Sequence, residues 1–167
     1  MDGENALGFG HPELGLLKTD AMVCVTCTDG VWSEPVVCPY SNLGFSPNMQ
    51  AIHYGSAEFE GMTAEIGADG NVYVFGMRQH YERYRRGAIK LGLKYVPYDV
   101  FRQTVIMAVQ QNARFIPRNG RLYIRQHSAD IGPQMRVGNS RTTGFFVEVT
   151  PIGGVGAYFG TRDTCEG

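Results

Sequence analysis

Tyr123 and Arg125 lie two residues apart in a β-prone run, Arg121–His127, so alternation along the strand puts the phenol and the guanidinium on one face. That pairing suits a carboxylate, which a guanidinium takes through forked, charge-assisted bonds. The pattern equally fits an exposed sheet-face arginine beside an ordinary strand tyrosine. Glu58 and Glu60 also share a face of an extended segment, the spacing of an acid/base pair, although a solvated or capping role suits them better. Cys24 and Cys27 spell Cys-Val-Thr-Cys, a redox or half-zinc spacing. No second such pair completes a tetrahedral site, and Cys38 and Cys165 stand alone. Met22–Thr28 reads as a strand, whereas reactive thiols of this spacing sit at helix N-termini, so these cysteines are expected to be small apolar strand residues. The histidines, His11, His53, His80 and His127, show no metal-ligand spacing, and no Gly-x-Ser-x-Gly occurs. Metallohydrolase and serine-hydrolase chemistry are therefore poor readings. Only three lysines, Lys18, Lys90 and Lys94, stand against twelve arginines, so any lysine nucleophile must be one of these or come from another chain.

The elements that position these residues follow from pattern. The 167 residues are 43% hydrophobic and 19% charged, enough for a packed core that needs neither disulfide nor metal. A net charge of −1 gives no broad footprint for nucleic acid or an anionic membrane. No apolar run reaches the length of a membrane-spanning helix, and the first residues lack a secretory pattern, so a cytoplasmic location is expected. Ala21–Thr28 and Val31–Cys38 flank Asp29-Gly30, and Met62–Ile66 and Asn71–Phe75 flank Gly67-Ala68-Asp69-Gly70; both read as hairpins. Tyr81, Tyr84, Ala88 and Leu91 form a stripe on a helix from Arg78 to Leu93. Pro97 opens a second helix to about Arg114, with Phe101, Val105, Ala108 and Val109 as its buried face. Strands return at Arg121–His127 and Gly144–Thr150. The fold class this order predicts is α+β, an antiparallel sheet with two helices packed on one side. Residues 1–20 read as an extended arm, 21–151 as the domain, and the glycine-rich 152–167 as linker, since its spacing is not that of a phosphate loop and no helix-forming stretch follows.

Ile52-His53-Tyr54-Gly55-Ser56-Ala57-Glu58-Phe59-Glu60-Gly61 resembles the HYG-x-x-x-FEG signature of branched-chain amino acid aminotransferases, class IV enzymes that depend on pyridoxal phosphate. The likeness continues through Gly70, Val74-Phe75, Arg83, Leu122-Tyr123-Ile124-Arg125 and Pro151-x-Gly, and upstream through Thr19-Asp20-Ala21-Met22, Trp32 and Pro39-Tyr40. It covers about residues 8 to 160 and matches the family's N-terminal small domain. The resemblance implies that Arg83 binds the cofactor phosphate and that Tyr123 and Arg125 line the substrate pocket, Arg125 helping to hold the side-chain carboxylate of glutamate. It implies that Phe59 and Tyr54 are aromatic pocket residues, Tyr54 reaching the neighbouring subunit's site. It also implies a small amino acid or 2-oxo acid as substrate, and as partner a second copy or a separate large-domain chain. The family's Schiff-base lysine and the acidic partner of the pyridine nitrogen belong to the large domain, beyond the matched region. Lys18, Lys90 and Lys94 read as solvated, so no catalytic residue is assigned and the chain alone is expected to be inactive. Two departures bear on substrate choice: the family's K-A-Y becomes Thr63-Ala64-Glu65, and the proline after Y-x-R becomes Gln126. A free-standing binding or assembly domain without transamination, or a truncated product, is the alternative.

Overall fold

A computed structural model describes residues 19–40, 43–117 and 120–153. Its strands are β1 (Met22–Thr28), β2 (Val31–Trp32), β3 (Val36–Cys38), β4 (Ala57–Ile66), β5 (Val72–Val74), β6 (Arg121–Asp130) and β7 (Thr142–Ile152). The helices are α1 (Gln50–Tyr54), α2 (Met77–Lys90) and α3 (Tyr98–Asn112), the last running on into a 3-10 turn at Ala113–Phe115. All strand pairs are antiparallel, in the order β2-β1-β7-β6-β4-β5, and β3 pairs with β1 as well. The fold is α+β, as the element order predicts.

Strand alternation divides the side chains between two faces. One face carries Val23 and Val25 of β1, Phe145, Val147 and Val149 of β7, Leu122 and Ile124 of β6, and Met62 and Ala64 of β4. Against it pack Tyr81, Tyr84 and Ala88 of α2 and Phe101, Val105, Ala108 and Val109 of α3, closing one core. Burying a large apolar side chain there contributes about 1.5–3 kcal/mol. Both helices therefore lie on the same side. The other face carries Phe59, Tyr123, Arg125, His127 and Phe146.

Local chemistry explains two of the element ends. Asp29 and Gly30 take φ values of 53° and 88°, the left-handed pair of a two-residue hairpin turn, and Thr28 pairs directly with Val31. Leu91 falls off the helical stripe: α2 stops at Lys90, Gly92 turns the chain at φ 69°, and Leu91 is left exposed.

The structure corrects four local expectations. Val31–Cys38 is two strands rather than one; Pro35, which has no N–H to give a ladder, sits in the break, and Ser33 bonds back to Thr26. Gln50–Tyr54, which overlaps the start of the aromatic signature and to which the sequence pattern assigns no element, forms the short helix α1, too brief to leave a periodic signal. Cys38 does not stand alone: it is disulfide-bonded to Cys24. Met22 pairs with Cys38, so Cys24, two residues on, shares its face. Of the two cysteines expected to be small apolar strand residues, Cys24 is therefore not one, whereas Cys27 is buried in β1 with a free thiol. The fourth concerns Glu58 and Glu60, described below. Of the expected arm, Thr19 is buried and donates to Val149 O at 2.9 Å, while residues 1–18 lie outside the described residues. At the other end β7 runs through Ile152, paired with Arg121; residues 154–167, with most of the expected linker and Cys165, lie outside the described residues too.

Candidate functional site

The face away from the helices is organised by β6 and β4, which pair antiparallel although two helices separate them in the chain. Tyr123 lies opposite Thr63, Arg125 opposite Gly61, and His127 opposite Phe59. The Arg125 guanidinium sits over the Phe59 ring at 4.8 Å from its centroid and over the Tyr123 ring at 5.4 Å. Its Nη2 also donates to Tyr123 Oη at 3.4 Å. A cation between two ring faces is held in place by both quadrupoles. Gly61 makes this geometry possible. A Cβ there would lie 2.8 Å from Tyr123 Cε2 and Cζ, so the tyrosine crosses β4 in space that only glycine leaves. Tyr123 is 6% exposed despite lying on the side away from the core.

Beyond Arg125 the same face continues with His127. Its ring stacks on Phe146 at 5.1 Å with a 33° tilt, and Phe146 in turn meets Phe45 edge-on at 5.8 Å. Burial, and then the Arg125 charge, hold the His127 pKa down to about 4, so the imidazole is neutral near pH 7. Its Nδ1 is buried without a hydrogen-bond partner.

Arg83 occupies the opposite side of the sheet. It lies on α2, and its Nη2 meets Glu60 Oε1 of β4 at 2.9 Å, while His80 Nδ1 meets Glu60 Oε2 at 2.8 Å. Glu60 is buried, so the pair Glu58–Glu60 is not solvated as expected. Both carboxylates face the helices, since β4 alternation sends them to the side of Met62 and Ala64. Burial first, and then the Glu60 charge, push the Glu58 pKa up to about 7, against the pull of Arg83. Gly87, inside α2, gives Glu58 room: a Cβ there would lie 2.6 Å from Glu58 Oε1. Gln126, where the family pattern has proline, is fully buried opposite Glu60 and neither of its amide atoms has a partner. Sequence could not separate Arg83 from its helical neighbours. The structure does: Arg78 and Arg85 pair with Glu82 along the helix, whereas Arg83 reaches the sheet.

Three of the five residues singled out from sequence, Phe59, Tyr123 and Arg125, thus come together. Arg83 lies across the sheet from them. Tyr54 stands apart on α1, exposed, its hydroxyl donating to Met135 O at 3.2 Å. Lys90 and Lys94 are exposed, as expected, and Lys18 lies outside the described residues. No cluster of metal-ligating side chains occurs among the described residues, and none of their helices is long and apolar enough to cross a membrane. Sequence reasoning missed Gly61 and His127 as parts of this face. The signal for His127 was present, since it continues the alternation from Arg125.

No protein-family model matches the chain. Among curated proteins, a probable branched-chain-amino-acid aminotransferase of Streptomyces coelicolor is 30% identical over 164 residues, which are 95% of this chain and 44% of that protein. The chain matches the N-terminal part of class IV aminotransferases. Among solved structures, the branched-chain aminotransferase of Thermoproteus uzoniensis, determined with norvaline, superposes with a TM-score of 0.63 at 24% identity, covering 80% of this chain and 41% of that one. A T.th. branched-chain aminotransferase, solved with pyridoxamine 5′-phosphate, has a TM-score of 0.58 at 20% identity over 82% of this chain and 41% of that one. The chain therefore spans less than half the length of these relatives, and it shares with the solved structures the fold of that part.

Proposed function

We propose that the chain supplies the small-domain side of a branched-chain-type aminotransferase site, acting on small amino acids and their 2-oxo acids, in the cytoplasm. The observation that carries this reading is the Arg125 guanidinium held between Phe59 and Tyr123, a cation on an aromatic face. Such a surface accepts two kinds of side chain. A branched aliphatic group gains from the rings, and a second carboxylate gains from the guanidinium. Transamination between leucine-type amino acids and 2-oxoglutarate needs both.

Pyridoxal phosphate would supply the electron sink for amino transfer. Arg83 suits its phosphate: its side chain is 62% exposed and commits Nη2 to Glu60, which leaves N–H donors for a dianion. Glu60 and His80 would hold that guanidinium in place. The exposed positions of Lys90 and Lys94 do not suit a Schiff-base lysine, which needs a desolvated or electropositive pocket. A lysine-bearing large domain is accordingly part of the proposal, together with assembly as a homodimer in which Tyr54 faces the neighbouring subunit.

The test is complementation. The purified chain, alone and mixed with the separately produced large domain of a class IV aminotransferase, is assayed with leucine, 2-oxoglutarate and pyridoxal phosphate. Turnover is expected only in the mixture. Steady turnover by the chain alone that survives replacing Lys18, Lys90 and Lys94 with alanine together would overturn the proposal, and a mixture that neither associates nor turns over would favour a free-standing binding domain.

A further inference from the structure

We propose that His127 is a specificity-determining residue of the Arg125 site, offering a dicarboxylic amino acid or 2-oxo acid an uncharged hydrogen bond from Nε2 beside the charged one from the guanidinium. The inference rests on the reading of Arg125 as a carboxylate-binding group and adds a residue to it. Position comes first. His127 is two residues beyond Arg125 on β6 and so projects from the same face, and it lies directly opposite Phe59, the ring that Arg125 covers. Guanidinium and imidazole thus stand at neighbouring positions of one sheet face, the first against Phe59 and the second against Phe146.

Orientation comes next. The imidazole is fixed against Phe146, and its Nδ1 is buried with no partner, so Nε2 is the nitrogen left for a ligand. The ring is neutral near pH 7, and a neutral imidazole with its proton on Nε2 donates to a carboxylate oxygen. One cation and one neutral donor match the two oxygens of a carboxylate without bringing a second positive charge into the site. The exposed Phe59 ring keeps the neighbouring surface apolar, so the arrangement favours a dicarboxylate without shutting out a branched aliphatic chain. Arg125 is also close enough for its charge to lower the affinity of His127 for a proton. An anion seated on Arg125 must weaken that effect, which gives a direct signal of binding. Glu148, opposite Arg125 on β7, faces the same side and is part of the charge balance that an anion meets.

The experiment follows the ring resonances of His127 by NMR in the purified chain during titration with glutarate and, separately, with the uncharged branched amide 4-methylvaleramide. Glutarate is expected to move these resonances and raise the pKa of His127, in the parent chain and not in Arg125→Met. His127→Phe, which keeps an aromatic ring against Phe146, is expected to bind glutarate several-fold more weakly, with 4-methylvaleramide unchanged, and His127→Gln to recover part of the loss. Circular dichroism checks that each variant is folded. If Arg125→Met loses glutarate while His127→Phe binds it as tightly as the parent, the Arg125 reading stands and this inference is overturned. If the parent does not bind glutarate, the carboxylate reading of Arg125 fails and the inference fails with it.

Discussion

Gly61→Ala tests whether the signature glycine exists to let Tyr123 cross β4. In open space the change would stabilise the strand by about 0.5–1 kcal/mol, because glycine loses more backbone freedom on folding than alanine. Here the new Cβ would fall 2.8 Å from Tyr123 Cε2 and Cζ, well inside contact distance. The ring has little room to retreat, being 6% exposed and bonded through its oxygen to Arg125. Forcing a methyl group into a packed site costs about 1–3 kcal/mol. Subtracting the backbone gain leaves a net destabilisation of up to about 2.5 kcal/mol. Urea unfolding of the parent, Gly61→Ala, Tyr123→Ala and the double variant, with unchanged m-values, gives the cycle. In the Tyr123→Ala background Gly61→Ala should turn stabilising, because the obstructing ring is gone. An equal cost of Gly61→Ala with and without the ring, or a gain in the parent, would refute the argument.

Glu58 has a folded pKa near 7 against 4.5 as its reference, so the folded state holds its proton more tightly and stability falls as pH rises from 4.5 through 7. Glu58→Gln should flatten that slope and be more stable than the parent at pH 8 by about 1–2 kcal/mol, a figure reduced for solvent screening; equal chemical midpoints at pH 5 and pH 8 in both proteins would contradict it. His127 acts in the opposite sense: its pKa is held down to about 4, so its contribution is present above 6.5 and lost as pH falls toward 4. His127→Phe should therefore be less sensitive to acid than the parent, as thermal melts across that range would show. Reducing the Cys24–Cys38 disulfide, which closes a loop with a sequence separation of 14, should lower stability by about 3 kcal/mol; thermal melts with and without reductant check this, with Cys38→Ser as the variant that no longer responds.

Local order explains what the sequence reading could reach. The face shared by Tyr123 and Arg125 follows from strand alternation alone, and His127 obeys the same rule. The turn at Asp29-Gly30 needs residues that tolerate positive φ, and the buried faces of α2 and α3 follow from apolar spacing at Tyr81, Tyr84 and Ala88 and at Phe101, Val105, Ala108 and Val109. Each of these is fixed within a few residues of chain. The register of β4 on β6 is not, because α2 and α3 intervene and nothing local sets which residue faces which. That register puts Gly61 opposite Arg125 and Phe59 opposite His127, so that Tyr123 and Arg125 each lean onto a diagonal neighbour, Gly61 and Phe59. Likewise, Glu58 and Glu60 read as solvated until α2 is laid over β4, which buries Glu60 beside His80 and Arg83 and shifts the Glu58 proton. Cys38 looked solitary because the β1–β3 pairing that brings it to Cys24 crosses a broken strand. Sequence sets the periodicity of each element, whereas desolvation and cross-strand contact depend on segments that meet only when the chain has closed its long loops.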